Sequence, residues 1–298
     1  MSKKAIKMSA QHKTYPFWLS IPALSVYTIF VIVPIGMSLV LSFTDWNIRR
    51  WDDPKFAGLQ AFKEVIKDPD FGRAVFNTFL FAVLTTILKI GLGLILALVL
   101  YKSFKANSIF RTIFYLPCVL SMTVIGVLFT SILAKNGLLN NILNLLGLTT
   151  WQREWLGQYT TSMAWVIIIE SWMWAGFNMF IFISGLQAIP RDYYEAASTE
   201  GASSWKQFTK ITLPLLVPAI TVNATMNIAG GMKVFDIIYI LMKGGQSTDT
   251  QVLSTYAFKS FSVGYLGESS AASIILTVLV ILVSFLLNYF FRKREVEV

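Results

Sequence analysis

Two ionisable side chains stand inside otherwise apolar runs, Lys89 in TTILKIGLGL and Glu170 in VIIIESWMWAGFN. A charge in such surroundings is costly unless it is paired, hydrated or bound to something, so each marks a place where chemistry is expected. The plainest use is a Lys89–Glu170 ion pair inside a helix bundle. A second is a relay for a proton or sodium ion, and a third is hydrogen bonding to a polar solute. Glu170, Trp174 and Phe177 recur at i, i+4 and i+7, which puts them on one face of a helix; Asn223, Asn227 and Gly230 repeat that spacing further on. Carboxylate, amide and aromatic groups on one face suit a sugar, whose hydroxyls need hydrogen bonds and whose C–H face stacks on rings. Plainer readings stand beside this one. Trp172 and Trp174 fit an interface belt, the asparagines fit interhelical hydrogen bonds, and Gly230-Gly231 fits either close packing or a local unwinding.

Catalytic chemistry finds little to work with. His12 is the single histidine and Cys118 the single cysteine. That closes off an intramolecular disulfide, a Cys/His metal site and a Ser/His/Asp set, and leaves Cys118 a packing residue within FYLPCVLSM. No GxxxxGK[ST] phosphate loop occurs; Lys243-Gly244-Gly245 and Gly91-x-Gly93 are the nearest glycine clusters and have the wrong spacing. The chain is therefore expected to be non-catalytic, with no cofactor or metal of its own.

The elements that must position these residues are membrane spans. Of 298 residues, 55% are hydrophobic and 14% charged, against about 25% charged in soluble domains. The apolar residues come in long runs: Phe17–Phe43, Ala74–Tyr101, Thr112–Ala134, Thr161–Leu186, Leu213–Met232 and Ala271–Phe290. Each reaches or nearly reaches the roughly 20 residues that a helix needs to cross about 30 Å of hydrocarbon. The first exceeds a signal-peptide core of about 7–15 residues, so it reads as a retained span. The expected organisation is a tail over 1–16, one six-span all-α domain over 17–290, and a second tail over 291–298. No internal repeat or linker divides it.

The net charge of +9 is spread in short segments between the runs, the pattern of topology-setting charges and not of nucleic-acid binding. One side holds 13 Lys and Arg and the other 10; on the first, the amino-terminal tail and the Lys102–Arg111 loop carry no acid. This predicts a multi-pass membrane protein with both termini and the Glu195 segment in the cytoplasm. The outer loop Thr44–Arg73 mixes six bases with six acids, and its stretch LQAFKEVI predicts an amphipathic surface helix. The later loop KGGQSTDTQVLSTYAFKSF starts with turn residues, and Leu253, Tyr256 and Phe258 suit folding back against the bundle.

Between the fourth and fifth runs lies a polar segment, 187–214, containing EAASTEGASSWKQFTKITLP. Pro190 and Asp192 are helix-starting residues, and Tyr193–Glu200 is helix-compatible. Gly201 is a favourable stop, Ser203 or Ser204 caps a second short helix through Lys210, and Pro214 is expected to end it. Residue chemistry alone predicts a helix–glycine–helix elbow at the membrane surface, as in an ordinary loop between spans.

The spacing says more. Glu195-Ala196-Ala197, three residues, Gly201, nine residues, then Ile211-x-Leu213-Pro214 resembles the EAA signature of permease subunits of binding-protein-dependent ABC importers. GLQAIPRDYYEAA, TLPLLVPAITV, FDIIYILMKGG and TQVLSTYAFKSF are similar to the carbohydrate-uptake branch, near the maltose and glycerol-3-phosphate permeases. The likeness is sharpest from about Ala164 to Phe285. The second outer loop is short here, where the maltose permease has a large extra domain, so that domain's docking contacts do not carry over.

The resemblance implies the type I importer permease fold, six helices with a cytoplasmic coupling elbow that docks into a cleft on an ATPase. Glu195 would be the polar contact there, Ala196 and Ala197 the close-packing face, Gly201 the bend, and Pro214 the point where the elbow rejoins the fifth span. It also implies a mid-membrane solute path between the helices flanking the elbow, here Glu170, Trp174, Phe177, Asn223, Asn227 and Gly230. Implied partners are a second, non-identical permease, two ATPase subunits that bind ATP and Mg, an extracytoplasmic solute-binding protein, a sugar and membrane lipid. The rivals are an ion-gradient-driven transporter that uses Lys89 and Glu170, and a non-transporting scaffold.

Overall fold

A computed structural model describes residues 17–50, 55–101, 107–242 and 250–292, and every regular element among them is helical. Helix α1 (Ile21–Leu41) is followed by the short surface helix α2 (Gln60–Lys67) and the long α3 (Pro69–Tyr101). Next come α4 (Asn107–Val119), α5 (Met122–Ile132), α6 (Leu138–Leu145) and α7 (Tyr159–Ala188). The elbow comprises α8 (Asp192–Thr199) and α9 (Ser204–Leu215). Then follow α10 (Val217–Met232), α11 (Asp236–Leu241), α12 (Leu253–Val263) and α13 (Leu266–Arg292). Residues 1–16, with His12, residues 293–298, and Lys102, Lys105 and Lys243 lie outside the described residues.

Among the described residues, helices α1, α3, α7 and α13 are each long and apolar enough to cross a membrane, and counting each of the bent pairs α4–α5 and α9–α10 as one span gives six. The bends depart from two expected straight runs, and proline accounts for both. The third run turns by 92° at Leu120-Ser121. Pro117, just inside the end of α4, has no N–H for the carbonyl a turn back, and its ring crowds that carbonyl. The ladder then tightens, Leu120 N–H donating to Pro117 O at 3.3 Å, before Ser121 goes extended.

The second bend, 61° between α9 and α10, corrects the expected role of Pro214. Pro214 does not end the elbow; helical structure continues through Leu215 and breaks at Leu216. The N–H missing at Pro214 is absorbed by a widened turn over Phe208–Thr212. The break falls where Pro218 leaves the Pro214 carbonyl without its donor. The same widened turn, Thr28–Ile32, precedes Pro34 in α1 and keeps that helix continuous.

Helices α3 and α7 form the centre. Phe81, Val166, Ile169, Met173 and Ile237 share one buried cluster, and Ala97, Met179, Phe182 and Leu216 another. In lipid, burial between helices brings no hydrophobic gain, so close approach and hydrogen bonds carry the association. Gly231 shows this: a Cβ there would stand 2.8 Å from Ala82 Cα of α3, so Gly231 serves close packing, whereas Gly230 has open space beside it, and α10 stays helical to Met232. No residue of α1 is buried; it leans on α13 at the edge of the bundle.

Around the start of α3 the short helices are tied down by side chains. Helix α2 buries Ala61 and Val65 as the amphipathic pattern requires. Helix α12 folds back, with Leu253 and Tyr256 buried and Phe258 more exposed. Leu253 N–H donates to Thr78 Oγ1 at 2.9 Å, Asn77 Nδ2 to Gln251 O at 2.9 Å, and Tyr256 OH to Asp68 Oδ2 at 2.8 Å. Burial and then Asp68 push the Tyr256 hydroxyl pKa well above the ordinary tyrosine value.

Candidate functional site

The bundle contains a cavity of about 330 Å³ between α3, α5, α7 and the end of α10. Glu170, Trp174 and Phe177 of α7 line it together, as their spacing requires, and Asn227 and Gly230 of α10 line the opposing wall. Lys89 of α3 reaches the same wall. Its Nζ donates to Glu170 Oε1 at 2.9 Å, with the side chains 5% and 8% exposed, and lies 5.9 Å from the Trp174 ring centroid. Trp174 meets Phe177 edge to face at 5.8 Å. The ion pair and the cavity wall are thus one structure.

Asn223 is the exception. It is fully buried, its Nδ2 donating to Ala219 O a turn back at 3.1 Å, and it does not line the cavity. The cavity opens at the end of α10, and Asn223 sits about 6 Å deeper along the axis than Asn227. Further residues belong to the site, among them the apolar Met122, Met226 and Val234 in its lining. Asn178 accepts from Asn227 Nδ2 and donates to Trp174 O at 2.9 Å, so it joins α7 to α10 beneath the cavity. Lys233, Phe235 and Asp236 rim it where the chain leaves α10. The signal for the last three was the charged tetrapeptide KVFD closing the fifth apolar run; Asn178 gave none beyond being an amide in a span.

The elbow stands at the other end of α10. Asp192 and Glu195 fall in the first turn of α8, where acids favour the helix dipole; Pro190 precedes the cap. Gly201 takes φ +73°, Ala202 N–H donates to Ala197 O at 2.9 Å, and Gly201 N–H donates to Ser198 O at 3.0 Å. This paired helix stop needs the left-handed residue. Ser203 Oγ accepts from Lys206 N–H at 3.4 Å, beginning α9. Two side-chain contacts brace the bend: Gln207 Nε2 donates to Ser198 Oγ at 3.0 Å, and the Tyr194 and Thr212 hydroxyls lie 2.9 Å apart. Glu195, Ala196 and Gly201 are exposed, Ala197 and Pro214 half-buried, and Trp205, not singled out from the sequence, is 73% exposed.

Leu216, at the break, is fully buried among Met179, Phe182, Ile183 and Leu186 of α7. From that pivot α10 runs about 15 Å to Asn227. One helix therefore carries the elbow at one end and a wall of the cavity at the other.

Residues 89–296 match the family profile described as binding-protein-dependent transport system inner membrane component. The chain belongs to this family. Members with similar sequences include the probable ABC transporter permease protein YurN of Bacillus subtilis, 36% identical over 294 residues, covering 97% of this chain and 100% of the relative. The lactose transport system permease protein LacF of Rhizobium radiobacter is 32% identical over 286 residues, covering 93% and 94%. Among solved structures, a permease of a bacterial ABC transporter involved in the import of the acidic polysaccharide alginate superposes with TM-score 0.81 at 25% identity, over 93% of this chain and 94% of that one. The fold is accordingly that of a type I ABC importer permease, and this family member is the inner-membrane component of such a system.

Proposed function

We propose that this chain forms half of the translocation path of an ATP-driven importer for a sugar or oligosaccharide, and that a binding protein delivers the solute from outside. The observation that carries the reading is α10 itself, which joins an exposed, braced elbow to a mid-membrane cavity of mixed polar and aromatic lining. Lys89 and Lys233 face Glu170 and Asp236 around that cavity, so its charges balance and a neutral polyol suits it. Relatives such as LacF, named for lactose transport, support a carbohydrate.

In this reading both termini and the elbow are cytoplasmic, the tails being 1–16 and 291–298. A second, non-identical permease closes the cavity from the open side. Two ATPase subunits, which bind the ATP and Mg that this chain has no loop to hold, receive Glu195, Ala196 and Ala197 in a cleft. Their closure on ATP draws the elbows together and turns α10 about Leu216, so that the cavity exchanges inward for outward access. Hydrolysis resets it.

The test is uptake by proteoliposomes holding this chain, its second permease and the ATPase, with loaded binding protein outside. Uptake is expected only with internal ATP. Solute flux through this chain alone under a proton or sodium gradient would establish the rival, in which Lys89 and Glu170 relay an ion.

A further inference from the structure

The Lys89–Glu170 pair is incompletely satisfied. Glu170 Oε1 is held by Lys89 Nζ, whereas Oε2, also of a buried residue, has no hydrogen-bond partner among the described residues. A carboxylate presents about four acceptor positions, and leaving one oxygen buried without a donor is among the costlier defects a folded protein tolerates. Were the pair only a structural staple, nothing would favour keeping that oxygen unpaired beside a cavity. Lys89 likewise spends one of its three N–H groups on Oε1, and its Nζ stands over the Trp174 ring that forms the cavity wall. Acceptor, donor and aromatic face therefore adjoin at one spot.

We propose that Lys89 and Glu170 act together as a specificity-determining couple that reads two adjacent hydroxyls of a saccharide. Glu170 Oε2 accepts from one hydroxyl, Lys89 Nζ donates to the oxygen of its neighbour, and Trp174 stacks on the ring's C–H face. Because the pair is neutral overall, it admits an uncharged diol and gives no net attraction to an acidic or amino sugar. This rests on the cavity being the solute path, as proposed above. It adds Lys89 as a solute contact and hydroxyl pairs as the feature recognised. A site built to hydrogen-bond a hydroxyl strongly rejects the analogue that lacks it, because its own polar groups are then left buried and unpaired.

The experiment uses the complete importer in proteoliposomes, with its binding protein loaded from a panel of neutral di- to tetrasaccharides, and the mono-deoxy analogues of whichever is carried. Lys89→Met with Glu170→Leu removes donor and acceptor together and leaves no unpaired buried charge, so the complex should still assemble, as size-exclusion chromatography would show. Wild type should carry the parent sugar with a KM roughly 10- to 100-fold below that of one deoxy analogue. The double variant should lose that discrimination, with KM for the parent rising to meet the analogue. A double variant that transports and discriminates as wild type does would overturn the couple, provided Trp174→Ala and Asn227→Ala still impair uptake. If those two are silent as well, the cavity reading fails with it. Failure of wild type to carry any panel member would reject the carbohydrate assignment on which the couple rests.

Discussion

The elbow and the cavity occupy opposite ends of one helix and solve opposite problems. The elbow is exposed, and its shape comes from local devices: a left-handed glycine, a paired helix stop, a serine cap and two side-chain braces. Its side chains remain free for a partner. The cavity is set into the bundle, and its shape comes from side chains that hold one another, Lys89 to Glu170 and Asn178 to Asn227. A charge at the elbow is solvated and available, whereas a charge at the cavity is desolvated and must be answered on the spot. The difference teaches where each region should be vulnerable: the cavity to loss of a partner, the elbow to loss of a dihedral angle.

The sharpest way to break that contrast is to remove one charge in each region. Lys89→Ala leaves Glu170 buried and unpaired and should destabilise the chain by about 3–5 kcal/mol. Glu195→Ala, exposed in the isolated chain, should cost at most about 1 kcal/mol, its share of the helix-dipole interaction; thermal unfolding of the detergent-solubilised chain without its partners compares the two. Gly201→Pro comes next. Proline cannot take φ +73° and removes the N–H that Ser198 O accepts, a local cost of about 3 kcal/mol or more. Uptake and binding-protein-stimulated ATPase activity should collapse together while the cavity still folds.

Trp205→Ala should be milder. Its ring is exposed in the isolated chain, so the fold should not register its loss, but ATPase association should weaken by about 1–2 kcal/mol if the ring enters the cleft, as biolayer interferometry would show. The smallest effect belongs to α12. Tyr256→Phe loses the bond to Asp68 and should cost about 1 kcal/mol. Because the folded state holds the Tyr256 pKa above its ordinary 10.0, the wild-type advantage is present below that pH and should fade as alkali draws the proton off beside Asp68. Unfolding of both proteins from pH 8 upward would trace it.

Much of this was legible in the sequence, for different reasons in the two regions. The elbow was readable because its determinants are local: Gly201 and Ser203 act within a few residues of themselves, so spacing alone identifies them. The Glu170–Trp174–Phe177 face was readable through helical periodicity, and apolar runs announced the spans. The rest turned on distant groups. Whether Lys89 meets Glu170 depends on the crossing of α3 and α7, Asn178 matters only because Asn227 lies across from it, and Asn223 shares Asn227's periodicity yet falls too deep. The two bends were missed because hydropathy ignores N–H groups. Pro117 and Pro218 are as apolar as their neighbours, but each leaves a carbonyl without its donor.

Whether the elbow drives the cavity is tested most directly by access to the cavity itself. Met226 lines it and is half exposed, so Met226→Cys, in a Cys118→Ser background, gives one reporting thiol. A membrane-impermeant maleimide should label it from the cytoplasmic side in nucleotide-free complex and from the outer side once ATP is trapped on the ATPase, and Gly201→Pro should abolish the switch. Labelling from the same side in both states, or a switch that survives Gly201→Pro, would contradict the account.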